Sequence, residues 1–283
     1  MESLSILISG VGHACWDYQL TWMASKDPDA SIIHMHWLRM VIMMIFLQIM
    51  TCKQNKSDKS LWWWLKFSTV GLVIPPIMYT HAVLWTNYRI PVSFQTFIPI
   101  IVILKSGYGF NSARCRALMI VMVGTLFLWS DIVFKGELWK LWAALSASVL
   151  QVLCLSEFFV MLKGIQSDKI AAVSRGVYFA VIILLILMII FTPRHFNSVL
   201  FEKIDKWLYI LIASSVATSI KYGLIAYFSE KMTADGVAIF ECVHPIATLV
   251  ADIISGKDVF EWQDSIAITC FFIGWISYPK MNI

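Results

Sequence analysis

The sequence predicts an all-α polytopic membrane protein with about ten transmembrane helices, arranged as two inverted five-helix repeats. Of its 283 residues, 59% are hydrophobic and 14% are charged, which is far more apolar than an ordinary soluble domain. A second observation, a seven-residue segment that recurs in the later half of the chain, predicts the repeat. We therefore expect one integral membrane domain made of two halves, residues 1–135 and 136–283.

Ten apolar runs separated by short polar stretches account for the predicted helices. Such runs must be helices, because unpaired backbone cannot face lipid and these runs are too long and too uniformly apolar for barrel strands. A helix needs about 20 residues to cross a hydrocarbon core of ~30 Å. The fourth, fifth and tenth runs are shorter, which leaves nine spans as the alternative. The runs cover residues 3–24, 31–51, 61–86, 90–104, 117–134, 138–162, 170–192, 207–228, 236–255 and 265–279.

Lysine and arginine in the connecting segments predict the orientation of the chain. With the N-terminus inside, ten of these residues face the cytoplasm and eight face the other side. The segment "CKQNKSDKS" after the second run carries much of the difference. We therefore expect both termini to be cytoplasmic, in a plasma (inner) membrane, and the net charge of +4 needs no nucleic acid to explain it.

The repeat is visible as "FQTFIPI", which begins at Phe94, and "FECVHPI", which begins 146 residues later at Phe240. Other matched pairs have offsets that rise smoothly from 136 to 150, as small loop insertions would produce. An odd number of spans in each copy makes the second copy enter the membrane from the opposite side. Inverted repeats are typical of transporters that work by alternating access. The matched pairs are Arg39 with Arg175, Trp64 with Trp207, Tyr79 with Tyr222, and Gly124 with Gly274.

Three segments carry a family resemblance: "GHACWDYQLTWMASKDPDASIIHMHWLRMVIMM", "FIPI" and "VHPIATLVADIISGKDVFEWQDSIAITCFFIGWISY". The first resembles the opening of drug/metabolite transporter superfamily members of the EamA type, with Asp17 where that family usually has Asn. The other two resemble the fourth and ninth spans of the same family, each with a central proline. The resemblance implies ten helices in two inverted repeats, and a central cavity lined by spans 1, 3, 4, 6, 8 and 9.

Ionisable residues inside the predicted spans mark a candidate site, because a charge at the bilayer centre costs about 2.5–3.5 kcal/mol on insertion scales. His13 and Asp17 are four residues apart and share a helix face. Thr218 and Lys221, three residues apart, share a face of another predicted helix. A lining with both signs of charge suits a zwitterionic or amphiphilic metabolite such as an amino acid. The predicted substrate-binding residues are Trp16, Asp17, Tyr79, His81, Gln95, Glu157, Lys221, Tyr222, Glu241 and His244.

Individual roles follow from residue chemistry. Trp16 and Tyr79 are expected to form cavity walls, and Lys221 is expected to meet a substrate carboxylate. Each candidate acid is expected to bind a cationic group of the substrate or to carry a proton, because a carboxyl group in a low-dielectric cavity can bind and release a proton during transport. Gln95 matches Glu241 in the repeat, so one copy carries the ionisable group and the other its neutral isostere. The candidates for proton coupling are Glu241, Asp17 and Glu157.

Several of these residues also have a structural interpretation. Each acid can pair with Lys221, Arg39 or Arg175 and so hold the bundle together. Arg39 and Arg175 are interpreted as lying near helix ends, where they would snorkel to the interface. Pro99 and Pro245 kink the fourth and ninth spans. Their symmetric placement predicts that these are the gating helices.

The predicted function is secondary transport of a small polar or zwitterionic, amino-acid-like metabolite by alternating access, with proton coupling left open. The sequence has no nucleotide motif, so ATP is not the expected energy source, and no cofactor or metal is expected. A channel is the main alternative. A membrane-embedded enzyme would need a motif such as HExxH, GxSxG or CxxC, and the sequence contains none of these. A lysine-linked pigment protein would use Lys221 in a bundle of seven spans, whereas ten spans in two repeats are predicted here. The expected partners are the metabolite and the lipid bilayer, with a homodimer left open.

Overall fold

The described chain is built from helices. The computed structural model describes residues 8–15, 21, 31–51, 59–86, 88–107, 109–130, 136–166, 168–191, 204–254 and 260–279. Helix α1 covers residues 8–15. The helices that follow are α2 Ile32–Met50, α3 Leu61–Ser68, α4 Ile74–Trp85, α5 Arg89–Phe94, α6 Ile98–Ser106, α7 Ser112–Ser130, α8 Leu138–Lys163, α9 Lys169–Phe191, α10 Ile204–Phe228, α11 Ala234–Ala238, α12 Val243–Ile254 and α13 Trp262–Ser277.

Eight segments of the described chain are long and apolar enough to cross a membrane, and they agree with the second to ninth apolar runs of the sequence. The prediction of a helical chain with apolar helices of membrane-spanning length is therefore confirmed for the described residues. The first run lies mostly outside the described residues, and α13, with 16 residues, is shorter than a full span. The eight segments are Ile32–Ile49, Leu61–Trp85, Arg89–Ser106, Ser112–Ser130, Leu138–Lys163, Lys169–Phe191, Leu208–Phe228 and Ala234–Ala251.

The third span, α3–α4, changes helix type just before two consecutive prolines. A π-helical segment, Thr69–Val73, separates α3 from α4. Pro75 and Pro76 have no N–H, so the Gly71 carbonyl loses the partner that either an α- or a π-helical bond would supply. The Tyr222 hydroxyl on α10 donates a hydrogen bond to this carbonyl, at 3.2 Å. The Tyr222 hydroxyl therefore replaces the missing backbone donor and links α10 to the third span.

The fourth and ninth spans resemble each other, because each is interrupted by a 3₁₀ segment. The 3₁₀ segment Gln95–Phe97 separates α5 from α6, and Ile239–Cys242 separates α11 from α12. Pro99 and Pro245 follow these segments within two residues of the start of the next helix. Proline cannot donate the α-helical bond to the residue four positions earlier, so the preceding turn tightens. Both breaks carry a polar side chain, Gln95 in one and Glu241 in the other.

Helices α7 and α13 pack closely because small residues face each other. A Cβ built on Gly124 would lie 3.1 Å from the Ala267 carbonyl oxygen, and one built on Gly274 would lie 2.9 Å from that of Ala117. Position 124 meets 267 and position 274 meets 117, so the two helices run antiparallel. Ala117 and Ala267 are fully buried. Small residues allow backbones to approach closely in membranes, where packing rather than hydrophobic burial drives helix association.

Gly274→Ala is expected to destabilise the protein by about 1–3 kcal/mol, because the added methyl would sit 2.5 Å from Val121 Cγ2. The measurement is the free energy of unfolding in mixed micelles. Gly223→Ala on α10 is the matched control, since a methyl added there would meet nothing within 4 Å. Equal stability of the two variants would contradict the close α7–α13 packing.

Candidate functional site

A central pocket lies where seven of the predicted spans meet, and both halves of the chain contribute to it. Its volume is about 40 Å³, which is room for about three water molecules. An organic metabolite therefore fits only if neighbouring helices move apart. No group of three or more His, Cys, Asp or Glu side chains in the described chain could hold a metal ion. The pocket is lined by His13, Arg39, Met40, Pro75, Pro76, Tyr79, Gln95, Gln151, Leu155, Thr218, Lys221, Tyr222, Glu241 and His244.

Lys221 and Glu241 form a buried ion pair in the wall of this pocket. Lys221 Nζ donates to Glu241 Oε2 at 2.9 Å, and the two side chains are 9% and 4% exposed. Lys221 lies on α10, and Glu241 lies in the 3₁₀ break that precedes α12. Each charge has lost its hydration, so removing either partner would leave the other charge buried without compensation. The contact joins the residues predicted to bind a substrate carboxylate and a substrate cation.

Arg39 belongs to the pocket, although the sequence interpretation placed it at the membrane interface. Its side chain is buried, and its Nη2 donates to Thr218 Oγ1 and lies 3.4 Å from His13 Nδ1. His13 Nδ1 is also 3.1 Å from Thr218 Oγ1. The interface interpretation is wrong for Arg39, because α2 begins seven residues earlier and carries it into the bundle. The matched Arg175 is exposed and lies over the Trp64 ring, 5.0 Å from its centroid.

Three polar atoms in the pocket wall have no hydrogen-bond partner among the described residues. They are Gln95 Oε1, Gln151 Oε1 and His244 Nδ1, and all three side chains are buried. The His244 ring has its centroid 5.6 Å from those of both His13 and Tyr79. An unsatisfied buried polar group costs about 1–3 kcal/mol. Water or a polar ligand in the pocket would remove that cost.

Two predicted site residues in the described part of the chain, Glu157 and His81, do not line this pocket. Glu157 is half-buried on α8, and its carboxylate accepts from Lys66 at 2.7 Å and from Lys105 at 3.0 Å. The half-buried His81 ring stacks on Trp85 instead. Trp16 and Asp17 lie outside the described residues. The predicted residues that do line the pocket are Tyr79, Gln95, Lys221, Tyr222, Glu241 and His244.

The contributions of the second span and of Gln151 to the pocket were not predicted from the sequence. Six spans were implied as lining the cavity, and α2 adds Arg39 and Met40 to them. Gln151 could have been found, because it is an uncharged polar residue inside the sixth apolar run. Arg39 could have been found from its distance to the ends of the second run. Both residues come from helices that reach the pocket only through tertiary packing.

Two further ion pairs join the starts of helices in opposite halves of the chain. Arg89, at the start of α5, has its Nη1 3.5 Å from Asp264 Oδ1 near the start of α13. Arg114, near the start of α7, has its Nε 3.1 Å from Asp235 Oδ2 in α11. Both aspartates are fully buried and both arginines are nearly so. Because these charges are shielded from water, each pair links its two helices more strongly than a surface ion pair would.

Tyr278 adds a third group to the pair formed by Arg114 and Asp235. Its hydroxyl donates to Asp235 Oδ2 at 2.5 Å. The phenol is the donor of this bond, because an ionised carboxylate can only accept. The Asp235 carboxylate thus holds α7, α11 and the end of α13 together.

The two ion pairs obey the offsets of the sequence repeat with the charges exchanged. Arg89 and Asp235 are 146 residues apart, and each lies six residues before its pocket residue, Gln95 or Glu241. Arg114 and Asp264 are 150 residues apart, the offset that also relates the two glycines of the α7–α13 contact. Matched positions therefore carry opposite charges.

Comparisons with known proteins show the fold only. No family model matches the chain, and no curated protein matches it. A solved structure described only as "Crystal structure of protein" is similar over 97% of this chain and 96% of its own, with a TM-score of 0.73 and 13% sequence identity. At that identity the similarity extends to the arrangement of helices and not to activity.

Proposed function

We propose that the chain is a secondary transporter that moves a small polar or zwitterionic, amino-acid-like metabolite by alternating access. The observation that carries this proposal is the buried Lys221–Glu241 pair, in a pocket shared by spans from both halves. Charged residues in membrane spans are costly and typically mark substrate or ion pathways. The proposal includes a plasma (inner) membrane location with both termini cytoplasmic.

The ion pair favours a zwitterionic substrate because both of its charges must stay compensated. In the empty carrier Lys221 and Glu241 compensate each other. A bound zwitterion replaces each partner, with its carboxylate on Lys221 and its ammonium group on Glu241. A ligand with only one of these groups leaves one buried charge uncompensated, at a cost of about 3–5 kcal/mol. The pocket would therefore discriminate against simple anions and cations.

Matched contacts support an inverted repeat of ten spans. The glycine and alanine contacts of α7 and α13 are reciprocal at an offset of 150 residues. Spans α5–α6 and α11–α12 are the third and eighth of the eight described segments, so they would enter the membrane from opposite sides. The ion pair that contains Arg89 and the ion pair that contains Asp235 would then lie at opposite faces of the membrane. Two inverted halves around one site are the architecture expected of an alternating-access carrier.

We assign the two ion pairs to the two gates of this carrier. Each one fixes the start of a proline-broken span that carries a pocket residue, Gln95 in one case and Glu241 in the other. Releasing one pair would let its span swing about the break at Pro99 or Pro245 and open the pocket to one face. Both pairs are formed together and the pocket is small. This combination corresponds to a conformation closed at both ends.

Saturable counterflow is the expected result for the purified protein in liposomes. A thermal-shift screen over a metabolite panel first selects a ligand, because binding to the folded state raises its stability by RT ln(1 + [L]/Kd). Liposomes loaded with that ligand unlabelled should transiently accumulate the labelled form against its gradient. A channel would equilibrate the label without an overshoot, and this outcome would replace transport with conduction.

Glu241→Gln tests the proton-coupling part of the proposal. The variant copies Gln95 of the first half and keeps a hydrogen-bond acceptor for Lys221. Uptake driven by a pH gradient should disappear, while exchange without a gradient survives at higher substrate concentrations, because the Gln side-chain oxygen still accepts from the ammonium group but lacks the charge. Gradient-driven uptake at the wild-type rate would show that Glu241 does not carry the proton. The coupling site would then be sought at Asp17.

A further inference from the structure

An apolar groove runs between α6 and α8 on the outside of the bundle. Its walls are Phe94, Phe97, Ile101, Val149, Val152 and Leu153, and its volume is about 200 Å³. Val149 and Leu153 at its rim are exposed, so the groove is open at the surface of two membrane-spanning segments. Phe97, the last residue of the 3₁₀ segment, and Ile101 on α6 are four residues apart, as are Val149 and Leu153 on α8, so each pair forms a stripe along the chain. The two stripes line an apolar trough.

A charged cluster closes one end of this trough. Continuing each stripe by four residues leads to Lys105 on α6 and to Glu157 on α8, whose Nζ and Oε2 atoms are 3.0 Å apart. Lys105 Nζ also donates to the carbonyl oxygen of Leu153, which lines the groove. Lys66 joins the same carboxylate from α3, so the cluster has two cations and one anion. Lys66 is 50% exposed and Lys105 is 32% exposed, within reach of a ligand outside the bundle.

We propose that this groove and cluster form a binding site for an anionic phospholipid. One acyl chain lies along the groove, and the phosphate contacts Lys66 and Lys105. Lys105 is the penultimate residue of α6, so the cluster lies near a helix end, at the depth where headgroups are found. Lysine contributes to anionic-lipid binding as a point charge, and the predicted orientation places this end at the cytoplasmic leaflet, where anionic lipids concentrate.

The lipid site is independent of the proposed transport function. Its six apolar residues and three charged residues are all absent from the central pocket. Glu157 competes with a phosphate for the two lysines, because it already accepts hydrogen bonds from both. Removing the Glu157 charge should therefore strengthen lipid binding. If the cluster only held the helices together, the same change would leave lipid affinity unaltered.

The test is native mass spectrometry of the purified full chain titrated with phosphatidylglycerol or phosphatidylcholine. We expect wild-type protein to prefer phosphatidylglycerol, and K66Q and K105Q each to weaken its binding about fivefold. E157Q should tighten it by a similar factor. I101W, which fills the groove, should weaken both lipids. K140Q is the matched control and should leave affinity unchanged, because Lys140 lies near the start of α8, at the other end of that helix from Glu157.

Three outcomes would overturn the site. They are equal binding of the two lipids by wild-type protein, E157Q affinity no higher than wild type, or an I101W variant that binds as wild type does. Addition of inorganic phosphate distinguishes the headgroup from the whole lipid. Displacement of phosphatidylglycerol by millimolar phosphate would indicate a phosphate site without a role for the groove, and would contradict the proposal.

Discussion

Lys221→Met is expected to lose about 3–5 kcal/mol of unfolding free energy, because it leaves the Glu241 carboxylate buried without its cation. The double variant Lys221→Met/Glu241→Gln should recover most of that loss, since it removes both charges together. Neither variant should bind or transport a zwitterion. Unfolding in mixed micelles measures the stability, and thermal shift with the selected ligand measures binding.

Lys66→Met provides the control for this experiment. Its ion pair with Glu157 is also short, but Lys66 is half exposed and Lys105 still compensates the carboxylate. Exposed pairs contribute about 0–1 kcal/mol, so this variant should remain close to wild type. A Lys221→Met protein as stable as Lys66→Met would mean that another cation compensates Glu241. A stable double variant that still transports zwitterions would remove the pair from the binding site.

Asp235→Asn is expected to open the pocket at the face of the membrane where α7 and α11 begin. The change removes the charge that pairs with Arg114 and accepts from Tyr278. Hydrogen bonds to charged groups contribute about 1.5–3 kcal/mol, so the closed state of this gate should become roughly 10- to 100-fold less favoured. Leu155→Cys in the pocket, in a protein whose six native cysteines are replaced, reports access to membrane-impermeant thiol reagents.

The matched variant Asp264→Asn serves as the internal control. It breaks the pair with Arg89 and should increase labelling of the same pocket cysteine from the opposite face. Reagents added to one side of oriented vesicles separate the two results. Labelling that rises from the same face in both variants, or in neither, would contradict the assignment of the two pairs to two gates.

Much of the fold could be predicted because membrane spans leave a strong signal in sequence. A lipid environment requires long apolar helices, and eight of the ten predicted runs are present as such helices. The breaks before Pro99 and Pro245 could also be predicted, since proline removes a hydrogen bond wherever it lies in a helix. The shortness of the tenth run could be predicted as well: α13 has 16 residues, and polar residues near its start form its capping box instead of extending the apolar run.

The site could be predicted only in part, because a residue's side of a helix depends on tertiary packing. Leu155 lines the pocket and Glu157 does not, although they are two residues apart. Two residues correspond to about 200° of rotation around an α-helix, so Glu157 faces Lys66 and Lys105 instead. Glu157 was predicted to face the cavity because it is an ionisable residue inside a predicted span. Its position in the sequence could not show which side of the helix its carboxylate faces.

The exchanged charges of the two outer ion pairs also have a consequence for how the halves recognise each other. Both arginines, Arg89 and Arg114, lie in residues 1–135, and both aspartates, Asp235 and Asp264, lie in residues 136–283. Under the proposed inverted repeat, two copies of the first half would oppose arginine to arginine at both junctions, and two copies of the second half would oppose aspartate to aspartate. Buried like charges are strongly disfavoured, so the sequence selects against either half assembling with itself. Separated from each other, the halves would associate as unlike partners.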